Sequence, residues 1–157
     1  MQIIIHTDGA AQGNPGKGGY GIVMQAGKHY KEISQGYRYT TNNRMELLAV
    51  IVALESILIE KAQVLIVSDS KYVVDSVEKK WVFSWEKKAF AKKKNPDLWK
   101  RFLKVYRRHQ VQFKWIKGHA GHPLNERCDV LAVEAASGSN LLVDEYYEAH
   151  GKDESLF

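Results

Sequence analysis

The sequence is poor in the features that build disulfides and membrane spans. Of its 157 residues only one is a cysteine, Cys128, which cannot form a disulfide within the chain and suits a reducing compartment. The longest apolar stretch, residues 47–59, is interrupted by Glu55 and Ser56 and is shorter than the roughly 20 residues needed to cross a bilayer. The amino terminus lacks the basic and apolar regions of a signal peptide. We therefore expect a small cytoplasmic domain that has no membrane partner.

Two common ligand-binding patterns are also missing or misplaced. The six histidines are dispersed and the single cysteine has no partner, so no zinc site is indicated. The P-loop pattern GxxxxGK[ST] is absent. Gly16, Gly18 and Gly21 spell GxGxxG, but they run into YGIVMQ, which favours a strand, whereas a dinucleotide site needs a helix at that point. We therefore expect no organic cofactor.

Positive charge is concentrated in one part of the chain. The net charge is +5, yet residues 71–108 contain 13 basic and 4 acidic residues, and the remainder has a balance of −4. Five aromatic residues are interleaved with these cations: Trp81, Phe83, Trp85, Phe90 and Trp99. A solvated helical face is the simplest alternative, but cations beside flat rings are typical of surfaces that bind phosphates, sugars and bases. We interpret residues 71–108 as a nucleic-acid-binding segment.

Hydrophobic periodicity predicts an α/β fold. The predicted strands are 2–8, 20–25, 28–35, 64–67 and 111–116, with a glycine-rich turn over residues 9–19. The predicted helices are 44–60, 71–80, one that Asp97 caps and that ends near residue 108, and 124–137. The first three strands should form an antiparallel meander, and the last two should return through helices to lie parallel to the first. This predicts a five-stranded mixed sheet flanked by helices. We expect residues 1–138 to form the domain and the acidic segment 139–157 to be loosely ordered.

Four carboxylates occupy positions that structure alone explains poorly. Asp8 and Asp69 end two buried strands, while Glu46 and Asp129 lie in helices. If the two strands are parallel neighbours, their acids leave the same edge of the sheet, where open α/β sheets bind ligands. Singly, each acid has an ordinary explanation as a turn, cap or surface residue. Together they would repel one another unless a cation neutralised them, and all-oxygen ligands favour Mg²⁺ or Mn²⁺.

A carboxylate cluster beside a basic aromatic surface is typical of phosphodiester hydrolysis with two metal ions. Two divalent ions about 3.5–4 Å apart can activate the attacking water and stabilise the departing oxygen. The basic segment would steer the polyanionic substrate toward them. The residues therefore predict a metal-dependent nuclease.

Four stretches of the sequence together resemble type 1 ribonuclease H, particularly the bacterial single-domain enzymes. These stretches are TDGAAQGNPGKGGYG (7–21), TTNNRMELLA (40–49), SDSKYV (68–73) and KGHAGHPLNERCD (117–129). The resemblance covers residues 1 to about 138 and includes all four acids. It implies a ribonuclease H-like fold and endonucleolytic cleavage of the RNA strand of RNA–DNA hybrids, leaving 5′-phosphate and 3′-hydroxyl ends. It also implies two Mg²⁺ ions per active site with substrate, for which Mn²⁺ could substitute, held by Asp8, Glu46, Asp69 and Asp129.

The resemblance also assigns roles to residues other than the acids. His119 matches a histidine thought to assist proton transfer or product release, whereas His122 is expected to be structural. The residues expected to contact the hybrid are Asn14, Thr41, Asn42, Asn43, Trp81, Trp85 and Asn95. Among them, Thr41, Asn42 and Asn95 match the family's phosphate pocket, and the two tryptophans would meet deoxyribose. As structural alternatives, Asn14 could shape a turn, Thr41 and Asn42 could cap the helix, and both tryptophans could be core residues.

Two alternative functions stay open at this point. The first is a non-catalytic module that binds hybrids or duplexes, although binding alone would be helped by removing negative charge. The second is another nuclease of the same superfold, such as a resolvase or exonuclease, although it would not be expected to carry TTNNRME and KGHAGHP together. A monomer is the default expectation.

Overall fold

The chain begins with three strands, and later strands alternate with helices. The computed structural model describes residues 1–118 and 121–151. The strands are β1 (Gln2–Gln12), β2 (Gly16–Ala26), β3 (His29–Thr40), β4 (Gln63–Ser68), β5 (Gln110–Trp115) and β6 (Leu141–Leu142). The helices are α1 (Asn42–Glu55), α2 (Lys71–Glu78), α3 (Trp81–Lys87), α4 (Pro96–Tyr106), α5 (Pro123–Ser137) and α6 (Glu145–His150). Within these residues, no helix is both long and apolar enough to cross a membrane.

All of these strands belong to one mixed sheet with the order β5-β4-β1-β2-β3-β6. β1, β2 and β3 pair antiparallel, whereas β4 pairs parallel with both β1 and β5. The predicted meander followed by parallel strands is therefore confirmed. The predicted count of five strands is too low by one, because Leu141 and Leu142 form a short strand parallel to β3. Two residues are too few to show the alternation from which strands are predicted.

The turn predicted over residues 9–19 is much shorter in the structure. β1 continues to Gln12 and β2 begins at Gly16, so the glycine-rich sequence is mostly strand. Glycine inside a strand often marks a close approach of another backbone, and a Cβ at Gly21 would overlap the carbonyl oxygen of Cys128 in α5. The GxGxxG pattern therefore belongs to a packing surface between β2 and α5, as its strand-like context predicts.

Helices cover both faces of the sheet. Neighbouring residues of a strand point to opposite faces, and Ile22 lies in the main core with Met45 and Ile51 of α1. Val23, the next residue, packs instead with Cys128 and Leu131 of α5. α1 and α5 therefore sandwich the middle of the sheet, and most residues of α1 are buried.

Two helix boundaries differ from the prediction. α1 ends at Glu55 rather than near residue 60. α4 begins at Pro96 after Asn95, which occupies the N-cap position in the left-handed conformation without a side-chain cap bond. The prediction that Asp97 caps this helix is wrong, because its carboxylate accepts hydrogen bonds from the Arg44 guanidinium at 2.9 and 2.7 Å.

Residues 139–151 pack against the domain, which differs from the expected loosely ordered tail. Asp144 is buried and accepts hydrogen bonds from the Thr40 hydroxyl at 2.7 Å and from Arg44 at 2.7 and 2.9 Å. Arg38 also forms a bidentate pair with Glu148 of α6, at 2.8 and 2.9 Å. Charge-assisted bonds of this kind are among the strongest side-chain contacts, so they explain the order of a segment that composition alone suggests is loose. Residues 152–157 lie outside the described part of the chain.

Candidate active site

Two of the four predicted acids meet at one edge of the sheet. Residues 2–6 of β1 pair in parallel with residues 63–67 of β4, and His6 lies opposite Val67. Asp8 follows His6 by two residues, and Asp69 follows Val67 by two residues. The register therefore places both carboxylates side by side at the carboxyl edge, where α/β sheets bind ligands.

Glu46 joins them because α1 lies very close to β1. A Cβ at Gly9 would come within 2.5 Å of the Glu46 backbone nitrogen, so only glycine permits this approach. The Gly9 N–H donates to Asp8 Oδ1 at 3.0 Å and also to Glu46 Oε1. Thr41 caps the helix by accepting a hydrogen bond from the Arg44 N–H at 3.2 Å, as predicted. Glu46 therefore lies near the beginning of α1, facing the strand-end acids.

Three carboxylates form a cluster that could hold a metal ion. One oxygen from each of Asp8, Glu46 and Asp69 lies within 4.8 Å of the others. Asp129 is not part of this trio but lines the same cavity of about 360 Å³. We call this space, with its four acids, the carboxylate cavity. Lys71 also lines it, so among the described residues four carboxylates and one cation line this cavity.

Burial makes the negative charges in the carboxylate cavity costly. Burial raises the pKa of Asp8, and the charges of Asp69 and Asp129 raise it further, although a hydrogen bond with Glu46 opposes the change. Burial also raises the pKa of Glu46 well above the ordinary carboxyl value, and Asp8 adds to that shift. A divalent cation would remove this penalty, and a set of carboxylate oxygens is the donor chemistry that hard cations prefer. The residues present therefore fit a bound divalent metal ion.

The thiol beside this cavity is not a nucleophile. Burial, together with the charge of Asp8, raises the pKa of Cys128 to about 12. Its Sγ donates a hydrogen bond to the His6 carbonyl oxygen at 3.2 Å. A protonated, buried thiol is chemically inert, so Cys128 is a packing residue beside the carboxylates.

A second cavity, of about 350 Å³, adjoins the first. Four of the residues predicted to bind substrate line it, namely Asn14, Thr41, Asn43 and Asn95. Lys93 and Lys94 also line it. We call this space the amide pocket. Asn43 lines both cavities, so the two are contiguous.

Hydrogen bonds hold the amides of this pocket in place. Asn14 Oδ1 accepts from the Asn42 backbone N–H at 3.0 Å. Asn95 Oδ1 accepts from Arg44 Nη1 at 3.2 Å, and Asn95 Nδ2 donates to the Tyr72 hydroxyl at 3.0 Å. Asn42 itself lines the carboxylate cavity rather than the amide pocket. The structure therefore brings together residues that lie in three separate stretches of the sequence.

The two predicted tryptophans differ in their surroundings. Trp81 begins α3 and is 45% exposed, with the Lys79 ammonium 5.2 Å from its ring centre. Trp85 is half-buried and packs edge-on against Trp99, with 5.8 Å between ring centres. Lys93 lies 5.2 Å from the ring centre of Trp85. Trp81 is thus available at the surface, whereas Trp85 also belongs to the packing of the basic segment.

The predicted histidine His119 lies outside the described residues. The residue before it is placed next to the acids, because a Cβ at Gly118 would lie 2.8 Å from Asp69 Oδ2. A substituent at Gly118 would therefore push directly on this carboxylate. The role of His119 stays a prediction.

Sequence reasoning missed two residues that organise the site. Tyr72 lines the carboxylate cavity, and its hydroxyl also accepts a hydrogen bond from Trp99 Nε1 at 2.9 Å. Arg44 is buried with 2% of its side chain exposed, and it lines the amide pocket. The available signals are local ones: Tyr72 lies three residues after Asp69, and an arginine stands within a buried helix.

Comparison with known proteins places this chain in a defined family. The model of the RNase H family matches residues 1–137. The chain belongs to the ribonuclease H family. A ribonuclease H of Desulforamulus reducens is 55% identical over 148 residues, which cover 91% of this chain and 92% of that protein.

Solved structures of this family share the fold. The crystal structure of LC9-RNase H1, a type 1 RNase H with the type 2 active-site motif, has a TM-score of 0.80 and 31% identity and covers 94% of this chain and 79% of that one. The crystal structure of LC11-RNase H1 in complex with an RNA/DNA hybrid has a TM-score of 0.65 and 29% identity and covers 86% of this chain and 96% of that one. The ribonuclease H-like fold predicted from the sequence is therefore confirmed.

Proposed function

We propose that this protein is an endoribonuclease that hydrolyses the RNA strand of RNA–DNA hybrids, using Mg²⁺ and leaving 5′-phosphate and 3′-hydroxyl ends. The observation that carries the proposal is the carboxylate trio at the sheet edge, whose oxygens lie within 4.8 Å of one another. Membership of the ribonuclease H family and the relative solved with an RNA/DNA hybrid support the same substrate.

The acids would hold the metal ions. Asp8, Glu46 and Asp69 would be direct ligands, and Asp129, which lines the same cavity, would complete the set. When bound, two Mg²⁺ ions, or Mn²⁺ in their place, would activate the attacking water and stabilise the departing oxygen. All four acids belong to one chain, which supports a monomeric enzyme, and this chemistry needs no organic cofactor. His119 is proposed to assist proton transfer or product release.

The residues beside the acids would select RNA at the cleaved strand. A protein distinguishes RNA from DNA through the 2′-hydroxyl, which both donates and accepts hydrogen bonds. Asn43 lines the carboxylate cavity, and Asn14 orients the neighbouring Asn42 backbone. An amide side chain can both accept a hydrogen bond from a hydroxyl and donate one to it.

The opposite strand would lie across the amide pocket and the basic segment. Thr41 and Asn95 provide a hydroxyl and an amide for a phosphate, and Lys93 and Lys94 provide charge. The exposed ring of Trp81 supports the contact with a sugar that the sequence predicts for it. This arrangement offsets the repulsion between the acids and a polyanionic substrate.

The proposal is tested with a labelled RNA–DNA hybrid in Mg²⁺, beside matched duplex DNA, duplex RNA and single strands. We expect internal cleavage confined to the RNA strand of the hybrid. Retained hybrid binding without cleavage would instead indicate a binding module, and cleavage of duplex DNA would indicate another nuclease of the superfold.

In the same assay, Asp69→Asn should lose most turnover while binding the hybrid with similar or higher affinity. The substitution removes a metal ligand and one charge that repels phosphate. Asp75→Asn is the matched control, because Asp75 lies on α2 beyond the cavity and pairs weakly with Lys79 at 3.6 Å. A near-normal rate for Asp69→Asn would contradict the metal role.

A further inference from the structure

The amide pocket has a wall that the proposed function does not use. Besides the amides, the pocket is lined by Tyr146, Tyr147 and His150 of α6. These residues follow residue 137, where the match to the family model ends. The carboxyl-terminal helix therefore borders the surface where a substrate phosphate would lie.

Two ion pairs, one buried and one at the surface, hold α6 in this position. Asp144 precedes the helix, is bound by Arg44 at 2.7 Å, and caps α6 by accepting from the Tyr147 N–H at 3.4 Å. Glu148, one turn further on, is bound by Arg38 at 2.8 Å. The helix is thus fixed at both of its turns, and its wall of the pocket is preformed.

The side chains of this wall are suited to a phosphodiester and its sugar. Tyr146 stacks on His150 with 4.5 Å between ring centres and an angle of 21°. His150 Nδ1 lies 3.1 Å from the Tyr146 carbonyl oxygen. Because a carbonyl can only accept, Nδ1 carries the proton of this bond. Nε2 is then an acceptor in the neutral ring and a donor to a phosphate in the imidazolium form.

The pocket favours an anion. None of its lining residues among those described is acidic, while Lys93 and Lys94 contribute positive charge. Arg44 is balanced by Asp97 and Asp144, so its own charge is largely compensated. The amino-terminal end of α1, whose aligned N–H groups favour negative charge, also borders the pocket through Thr41.

We propose that α6 is part of the substrate-binding surface, and that Tyr146 and His150 contact a backbone phosphate of the hybrid in the amide pocket. The inference rests on the proposed function. Asn43 lines both cavities, and Asn95 donates to Tyr72 of the carboxylate cavity. A duplex bound at the acids would therefore extend over α6.

The test compares Tyr146→Ala and His150→Ala with Glu145→Ala, which lies on the same helix, is exposed and does not line the pocket. Hybrid binding is measured in metal-free buffer, and kcat and KM are measured in Mg²⁺. We expect Kd and KM to rise about 3- to 10-fold in each pocket variant, the size of one or two hydrogen bonds, with kcat unchanged within about twofold. The Glu145→Ala control should match the wild type.

Hybrids with uncharged backbone linkages in either the DNA or the RNA strand identify the phosphate. If the neutral strand is the one that occupies the pocket, Tyr146→Ala should no longer raise the Kd for that hybrid. A penalty that persists in full in both arms would overturn the phosphate contact, as would a Kd equal to that of Glu145→Ala. Tyr146→Phe, which keeps the ring, guards against misfolding of the alanine variant and should lose only the hydroxyl contribution.

The two proposals fail in different ways. A wild-type protein that cleaves hybrids while both α6 variants bind normally would overturn only the α6 inference. A wild-type protein that binds hybrids through α6 but does not cleave them would overturn only the proposed activity.

Discussion

At the scale of single residues, the carboxylate cavity places charge where burial opposes it. Asp8 and Glu46 are both buried, and the pKa of each is raised, first by burial. Their carboxylates share one backbone donor, the Gly9 N–H. Such a site costs the metal-free protein stability, and a bound cation would offset that cost.

The sign of the pH dependence follows from these shifts. A group whose pKa is higher in the folded than in the unfolded state stabilises the fold fully at low pH, below its unfolded value of about 4. That stability is lost as the pH rises through the raised native value. The metal-free protein should therefore lose the contribution of Asp8 and Glu46 on going from acidic toward alkaline pH.

Asp8→Asn should remove part of this loss, because the amide stays neutral at every pH. We expect the Tm of the variant, relative to wild type, to increase as the pH rises in metal-free buffer. Adding Mg²⁺ should raise the Tm of wild type more than that of the variant, because only wild type keeps the full ligand set. Thermal unfolding from pH 4 to pH 9 measures both effects. A difference that shrinks with rising pH would contradict the assigned cause.

At the scale of elements, glycines set how closely helices lie on the sheet. Gly9 admits α1, and Gly21 admits α5. α5 carries Asp129 next to Cys128, the residue whose carbonyl faces Gly21. The geometry of the carboxylate cavity therefore depends on backbones that touch the strands directly.

Gly21→Ala should destabilise the protein by about 1–3 kcal/mol, the usual cost of overpacking a tight core. The added methyl would overlap the Cys128 carbonyl, and α5 would have to move away from β2. Gly138→Ala is the control, since a Cβ there would meet its nearest atom at an ordinary 3.4 Å. Urea unfolding of both variants measures the difference. Equal stability of the two would mean that α5 can shift without cost.

At the scale of the whole molecule, charge is divided between two adjoining regions. The carboxylate cavity is negative, whereas segment 71–108 carries an excess of nine positive charges. Part of that segment forms the amide pocket through Lys93 and Lys94. The basic segment would thus attract a polyanion to the surface next to the carboxylate cavity. This attraction should weaken as the salt concentration rises.

Replacing Lys92, Lys93 and Lys94 together with alanine should weaken hybrid binding and flatten its salt dependence. Each phosphate contact contributes about −0.9 to the slope of log K against log salt on a duplex. The slope should therefore become less steep by at most the contribution of about three contacts. The control replaces Lys28, Lys31 and Lys61, exposed lysines outside the segment. Binding at several salt concentrations gives the slopes. A slope that changes equally in both triple variants would reflect net charge alone.

Local patterns in the chain were enough to predict the sheet meander, the parallel return of β4 and β5, and the placement of Asp8 and Asp69 at one edge. These features depend on hydrophobic periodicity and strand order, which can be recognised from residues that are close in sequence. The motif TTNNRME also identifies Glu46 and its Thr41 cap.

Tertiary structure alone decided the wall of the amide pocket and the order of residues 139–151. Arg44 and Asp144 are separated by 100 residues, and Asn95 meets Arg44 across 51. No local pattern encodes such pairs, because a buried arginine and a tail aspartate become partners only when the sheet brings α1 and the segment before α6 together. For the same reason, a tail whose composition favours solvent becomes one wall of the amide pocket.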